Sequence, residues 1–325
     1  MTNDTPGPSP TRGSLILARV LKRLAFYPFL IASLLVFPSW LPWMVFGWLG
    51  LAGWRLYKGQ PAWPPLAVVG AIILIKRVYW APALMMFLLV LATGLVMDRV
   101  WRRRPKWLPT AKASIIAVLF AWLFLSLNWR LDEHSERRPA LVPERPIVCL
   151  GDSLLSGGFA RVLQQRVTLT VVDLSQGGIT TADGAKLIPE LRKAKPQAVV
   201  VELGGHDSLR GRPRSEAKAD LERIIAAARE CGAEVFLFEI PLGFVSDPYW
   251  GLQRGLAAEH DLELIPDGAI RQLVYFSPFT PLGRWTGRVL SYDGLHPNDA
   301  GNAFLADRVE EALVRVYGKA VVKRP

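Results

Sequence analysis

Ile147-Val-Cys-Leu-Gly-Asp-Ser-Leu154 sets four apolar residues directly in front of a Gly-Asp turn and a serine. A short apolar run bounded by turn residues reads as a buried strand, so residues 147–150 are a strand and Gly151 opens the turn toward the serine. The pattern recurs along the chain. Residues 167–172, 198–201 and 234–238 read as three more strands, with helical stretches near 159–165, 182–193 and 215–231. Residues 302–317 give a closing amphipathic helix with Phe304, Leu305, Val309, Leu313 and Val316 on one side. Strands alternating with helices predict a three-layer α/β domain around a parallel sheet. Ligands bind such sheets beyond the carboxyl ends of the strands, so chemical residues should follow strands directly.

They do. Gly151-Asp-Ser-Leu154 follows the first strand and would put Ser153 at a helix N-terminus, with backbone N–H groups aimed at any oxyanion formed there. Alone the tetrapeptide is ordinary turn chemistry. Asp173-Leu-Ser-Gln-Gly-Gly-Ile-Thr180 follows the second strand and Gly204-Gly-His-Asp207 the third, while Asp293-Gly-Leu-His-Pro-Asn298 precedes the last helix. A nucleophilic serine needs a base, usually His, and the base needs a carboxylate to fix its tautomer. Asp293 and His296, three apart on a Gly- and Pro-shaped loop, are close enough to pair.

At these four blocks the sequence resembles the SGNH, or GDSL, hydrolases, over nearly all of residues 146–318. The run Val199-Val-Val-Glu-Leu-Gly-Gly-His-Asp-Ser-Leu-Arg-Gly211 also resembles the bacterial thioesterase I/lysophospholipase L1/arylesterase branch. The resemblance implies a flavodoxin-like domain with Ser153 as nucleophile, His296 as general base and Asp293 as its orienting partner. It implies the Gly178 N–H, beside that of Ser153, as an oxyanion donor, and neither metal nor organic cofactor. One block departs from the pattern: His206 stands where the family usually has Asn as third donor. A neutral imidazole still donates one N–H, so His206 is expected to keep the role; a retuned site is the plainer alternative. His134 and His260 read as surface residues, and no His/Cys cluster has metal-ligand spacing. Two Pro- and aromatic-rich loops, 241–250 and 276–285, are candidates for selecting substrate or for capping the core.

The first part of the chain differs in kind. The formal charge of the 325 residues is +11 and 51% of them are hydrophobic. Residues 1–140 hold 17 Lys+Arg against 5 Asp+Glu, and residues 141–325 hold 22 against 23, so the positive excess lies wholly in the first part. Ten of the twelve tryptophans lie between Trp40 and Trp129. Basic charge interleaved with apolar runs and Trp is a membrane signature; it argues against a nucleic-acid binder and excludes a single soluble domain. Charge-free runs cover residues 24–54, 59–75, 78–97 and 113–129. The last three fit one span each, at roughly 17–25 residues per crossing. Pro38 and Pro42 interrupt the first, which reads as two short spans or a re-entrant hairpin, with a single kinked span as the alternative. A cleaved signal peptide fits poorly, since more spans follow. Arg99, Arg102, Arg103, Arg104, Lys106 and Lys112 hold the loop before the last run in the cytoplasm, which sends everything after residue 130 to the other side.

The expected organisation is a disordered start (1–13), a helical transmembrane region of four or five spans (14–130), a charged linker (131–145), the hydrolase domain (146–318) and a tail (319–325). Cys149 and Cys231 are too few for a disulfide framework and read as small buried apolar residues. The expected protein is a multi-pass inner-membrane serine esterase with its catalytic domain on the periplasmic side. Its partners are the lipid bilayer and an ester or thioester substrate, such as a lipid or an envelope glycan, and no nucleic acid. O-acyl transfer to an envelope glycan and a non-enzymatic scaffold with a decayed hydrolase domain are the alternatives.

Overall fold

The structure, a computed structural model, describes residues 41–57, 60–61, 63–75, 133–241 and 247–323. In the first part, α1 (Leu41–Tyr57) and α2 (Trp63–Ile75) pack against each other, with Val45, Trp48, Leu49, Leu66, Val69 and Ile72 buried. Proline sets both starts: Pro42 lies in the first turn of α1, and Pro64 and Pro65 in that of α2. A missing N–H is harmless there and disruptive further in. Within the charge-free run of residues 24–54, the part before Leu41 lies outside the described residues. The Arg55 Nε donates to Pro61 O at 2.8 Å across the connection. Among the described residues no helix is long and apolar enough to cross a membrane. The spans read at 78–97 and 113–129, the basic loop between them and the N-terminal segment lie outside the described residues.

From Ile147 the chain forms β1 (Ile147–Gly151), α3 (Ser153–Ser156), α4 (Phe159–Arg166), β2 (Val171–Asp173), α5 (Thr181–Lys186), α6 (Ile188–Ala194) and β3 (Ala198–Glu202). It continues through α7 (Gly205–Leu209), α8 (Arg214–Glu230), β4 (Glu234–Phe238), α9 (Leu252–His260), β5 (Glu263–Ile265), α10 (Gly268–Tyr275), α11 (Pro281–Thr286) and α12 (Asp299–Tyr317). The strands form one parallel sheet in the order β2-β1-β3-β4-β5, the flavodoxin-like arrangement. Alternate strand residues face opposite layers. Ile147, Cys149, Val200, Phe236 and Phe238 pack with Leu155, Leu163, Leu305 and Val309 on one side. Leu150, Val199, Val201, Val235 and Leu237 pack with Leu221, Ile224 and Leu256 on the other.

Four local expectations change. The strand expected at 167–172 joins the sheet only from Val171; Val167 pairs instead with Val322, and Thr168 N donates to Val321 O at 2.9 Å. The tail at residues 319–323 is thus docked on the domain, with Val321 fully buried. The helix expected at 182–193 breaks at Leu187 because Pro189 cannot continue it and starts a second helix. The three residues of β5, next to Pro266, are too short to show a period.

The linker is also docked. Glu133 O accepts from Leu264 N at 2.9 Å, Ser135 N donates to Glu263 Oε2 at 3.1 Å and Glu136 N to Asp261 Oδ1 at 2.8 Å. This segment covers the β5 edge and runs opposite to it. The Glu133 carboxylate pairs at 3.0 Å with Arg254, which also pairs with Glu239, the residue after β4. Lower down, Arg145 donates to the carbonyls of Lys195, Pro196 and Cys231, which precede β3 and β4. The chain therefore reaches the domain at the carboxyl end of the sheet and descends to its amino end before entering β1.

Candidate active site

Each predicted site residue lies past the carboxyl end of a strand or on the loop before α12. Ser153 is the first residue of α3, capped by Asp152, whose Oδ1 accepts from Leu154 N at 3.0 Å. Gly151 is required there: a Cβ would stand 2.8 Å from Leu155 and 3.0 Å from Glu202 Oε2. The loop after β2 lies along this turn, with Gln176 N donating to Gly151 O at 3.0 Å.

His296 joins the serine to the carboxylate. Its Nε2 is 3.0 Å from Ser153 Oγ and its Nδ1 is 2.7 Å from Asp293 Oδ2. The other oxygen of Asp293 accepts from Ser291 Oγ and from the Leu295 and His296 N–H groups, at 2.8–2.9 Å. The His296 bond, then the Leu295 N–H, hold the Asp293 carboxyl well below the usual carboxylate range. A carboxylate that stays ionised keeps the His296 proton on Nδ1 and leaves Nε2 to accept from Ser153. Both side chains are about half exposed.

Gly178 and His206 form the facing wall. Gly178 has φ +79°, which glycine adopts without strain, and His206 Cε1 lies 3.9 Å from where its Cβ would stand. Two interactions missed by the sequence reading hold this wall. The Gly178 carbonyl accepts from Arg210 Nη2 at 2.8 Å, which fixes the peptide plane. Asp207, fully buried beside His206, accepts from the Thr181 N–H and hydroxyl at 2.8 and 2.7 Å and pairs with Arg212. Arg212 also binds Asp220 at 2.9 Å. The turns after β2 and β3 are thereby tied to each other and to α8. A polar residue beside a candidate donor was visible in Gly204-Gly-His-Asp207; its partners, 5 to 26 residues away, were not.

Cys149 is buried in β1, where burial pushes its thiol up, and Cys231, half-buried, caps α8. His134 sits at the surface but pairs with Glu263 at 3.3 Å. Among the described residues, the group with metal-ligand proximity is Glu222, Glu259 and His260 on the flanks of α8 and α9, where Lys218 binds both glutamates.

Residues 149–304 match the sequence model of the GDSL-like lipase/acylhydrolase family. The chain is similar to Esterase TesA of Pseudomonas aeruginosa, with 35% identity over 189 residues covering 51% of this chain and 87% of that protein. It is 29% identical over 182 residues to thioesterase 1/protease 1/lysophospholipase L1 of Escherichia coli strain K12, covering 51% and 82%. It is 26% identical over 187 residues to an arylesterase of Vibrio mimicus, covering 52% and 88%. A crystal structure of TesA aligns with 53% of this chain and 99% of its own, at 26% identity and a TM-score of 0.45.

Proposed function

The chain belongs, through its second half, to the GDSL-like lipase/acylhydrolase family and is a hydrolase of ester bonds; from that premise we propose that it is a membrane-anchored serine esterase acting through Ser153. The observation that carries this is the continuous relay from Asp293 through His296 to Ser153 Oγ, at 2.7 and 3.0 Å. His296 Nε2 takes the hydroxyl proton as Ser153 Oγ attacks the carbonyl carbon. The oxyanion is held by the N–H groups of Ser153 and Gly178 and by the imidazole N–H of His206. Collapse expels the alkoxide or thiolate, which takes the proton from His296 and leaves an acyl-Ser153. Water, deprotonated by His296, then attacks the acyl carbon, and Ser153 leaves with the proton.

The half-exposed Asp293 and His296 favour water as acceptor over a glycan hydroxyl, since an open rim does not exclude solvent. The names of the relatives supply the substrate class: thioesters, lysophospholipids and aryl esters. The charge-free runs and the basic loop at residues 99–112 support a membrane anchor with the catalytic domain on the extracytoplasmic side.

Purified full-length protein should label with a fluorophosphonate probe and turn over p-nitrophenyl esters, acyl-CoA or lysophospholipid. Ser153→Ala should lose both with its fold intact; persistent labelling would assign the nucleophile elsewhere. A reporter active only in the periplasm, fused after Pro325, should be active; activity of a cytoplasm-only reporter there would reverse the orientation.

A further inference from the structure

Among the described residues between 133 and 323 the exposed large apolar side chains are Val142, Leu209, Phe279, Leu282, Trp285, Tyr292 and Leu295. All but Val142 belong to the active-site end. Leu209 ends α7, three residues past His206, and Tyr292 and Leu295 flank the Asp293 turn. Phe279, Leu282 and Trp285 ride on a segment fastened to the catalytic loop: Leu290 N donates to Phe276 O at 2.7 Å, and the Ser277 side chain lies 3.7 Å from where a Gly294 Cβ would stand. Trp285 is 85% exposed and Tyr292 72%. Exposed apolar side chains gathered at one end of a domain mark an interaction surface.

Two observations identify what covers it. Residues 276–292 contain no Asp or Glu and two arginines, Arg284 and Arg288. Neither is paired with a carboxylate among the described residues: Arg284 Nε donates to Pro278 O, and Arg288 stacks 4.7 Å over the Phe276 ring. Aromatic side chains interspersed with unpaired arginines fit the headgroup region of an anionic bilayer. The second observation is the chain's path. From Glu133, beside Leu264 and paired with Arg254, the chain runs down the β5 edge away from the carboxyl end of the sheet, the end that carries Ser153 and this rim. The charge-free run at residues 113–129 lies immediately upstream.

We propose that the rim formed by Phe279, Leu282, Trp285, Tyr292 and Leu295 docks on the anionic surface of the bilayer that holds the N-terminal half, so that Ser153 opens toward esters borne on that surface. This rests on the membrane-anchored reading of the N-terminal half. It deepens the esterase reading by making bilayer-resident amphiphiles, rather than soluble esters, the substrate class.

The test uses the full chain reconstituted into vesicles of phosphatidylcholine with phosphatidylglycerol. Cys231 is replaced by Ser, and an environment-sensitive fluorophore is attached at Trp285→Cys or, as a control at the other end of the domain, at Val142→Cys. The label at 285 should be quenched by lipids carrying a nitroxide near the headgroup and shielded from aqueous iodide; the label at 142 should behave oppositely. Arg284→Gln and Arg288→Gln should each lower the docked-to-free ratio about fivefold, and pure phosphatidylcholine should weaken docking likewise. Iodide access at 285 in protein that floats with vesicles overturns the docking while leaving the anchor and the esterase intact. Shielding at 285 from both quenchers assigns the rim to a protein partner and overturns it too. Failure to float overturns the anchor and, with it, the docking. None of these readouts depends on Ser153, so the failure of the catalytic reading would be seen separately.

Discussion

The backbone N–H of Asp152 donates to Glu202 twice, to its carbonyl at 3.2 Å and to its Oε2 at 3.1 Å. Glu202 is the last residue of β3 and fully buried; its Oε1 receives no hydrogen bond, and its carboxyl is within hydrogen-bonding reach of the Asp152 carboxylate. Burial, then the Asp152 charge, pushes the Glu202 carboxyl well up. Such a shift favours the protonated acid at this buried position beside Asp152. Asp152 in turn caps the helix that begins with Ser153. The nucleophile's turn is thus tied to the neighbouring strand through Glu202.

Glu202→Gln preserves one acceptor and one donor, so it should keep most activity. Glu202→Ala removes the side-chain acceptor of the Asp152 N–H, leaving it only the backbone carbonyl of residue 202, and leaves a void beside the Asp152 carboxylate; it should cost about 1–3 kcal/mol of stability, with kcat down about a hundredfold as the turn shifts. Folded Glu202 holds its proton at pH values where an unfolded glutamate has lost it. Its stabilising contribution is complete below the ordinary glutamate pKa and is lost as pH rises through the raised one. Thermal melts across pH should show the wild type losing stability relative to Glu202→Gln on the alkaline side. Parallel curves would disprove the neutral acid.

The relay makes a separate prediction. Asp293→Asn keeps the size of the group but presents an N–H or a weak acceptor to His296 Nδ1, so the wrong tautomer faces Ser153. kcat should fall by up to about 10⁴, with KM changing far less. Stopped-flow acylation should show the loss in the acylation step. A drop confined to KM would remove Asp293 from the relay.

The seat of the catalytic loop is a glycine that the sequence reading passed over. A Cβ on Gly301, in the first turn of α12, would stand 2.1 Å from Leu290 O and 2.9 Å from Pro297 Cβ. Those residues bracket the loop carrying Asp293 and His296, which Asn298 N → Leu290 O, at 3.0 Å, holds closed. Gly301→Ala should destabilise the domain by about 1–3 kcal/mol through overpacking and displace His296, lowering kcat at temperatures where the fold persists. Wild-type kcat in Gly301→Ala would mean that the loop yields without moving the base.

These residues mark how far the sequence could be read. Gly151, Ser153, Asp293 and His296 stand where an apolar run ends or where two chemical groups stand three apart, and Gly178 was named through the resemblance alone. β1, β3 and β4 were legible as unbroken apolar runs. β5 was not, because three residues carry no period, and the docked linker was not, because its charges pair with Glu234 and Arg254 about a hundred positions away. Glu202, Gly301 and Asp207 escaped for the same reason: their importance lies in contacts between segments distant in the chain. In the N-terminal half α1 begins at Pro42, which the sequence reading singled out, and α2 at Pro64 and Pro65, which it did not.

His206 is where the chain departs from its family, and its ring stands against Gly178 without a hydrogen-bond partner among the described residues. An imidazole N–H aimed at the oxyanion should contribute chiefly in the transition state. His206→Ala should then cost on the order of 10²–10³ in kcat, the usual loss for one such donor, with little change in KM. His206→Asn replaces the ring N–H by an amide N–H of similar reach and should retain much of the activity. The two variants separate chemistry from packing, because Asn leaves the same void as other small residues but still donates. If Asn and Ala fall together, the ring serves as filler against Gly178. If Ala keeps near-wild-type kcat, the N–H groups of Ser153 and Gly178 hold the charge by themselves, and the imidazole is there for the shape of the wall.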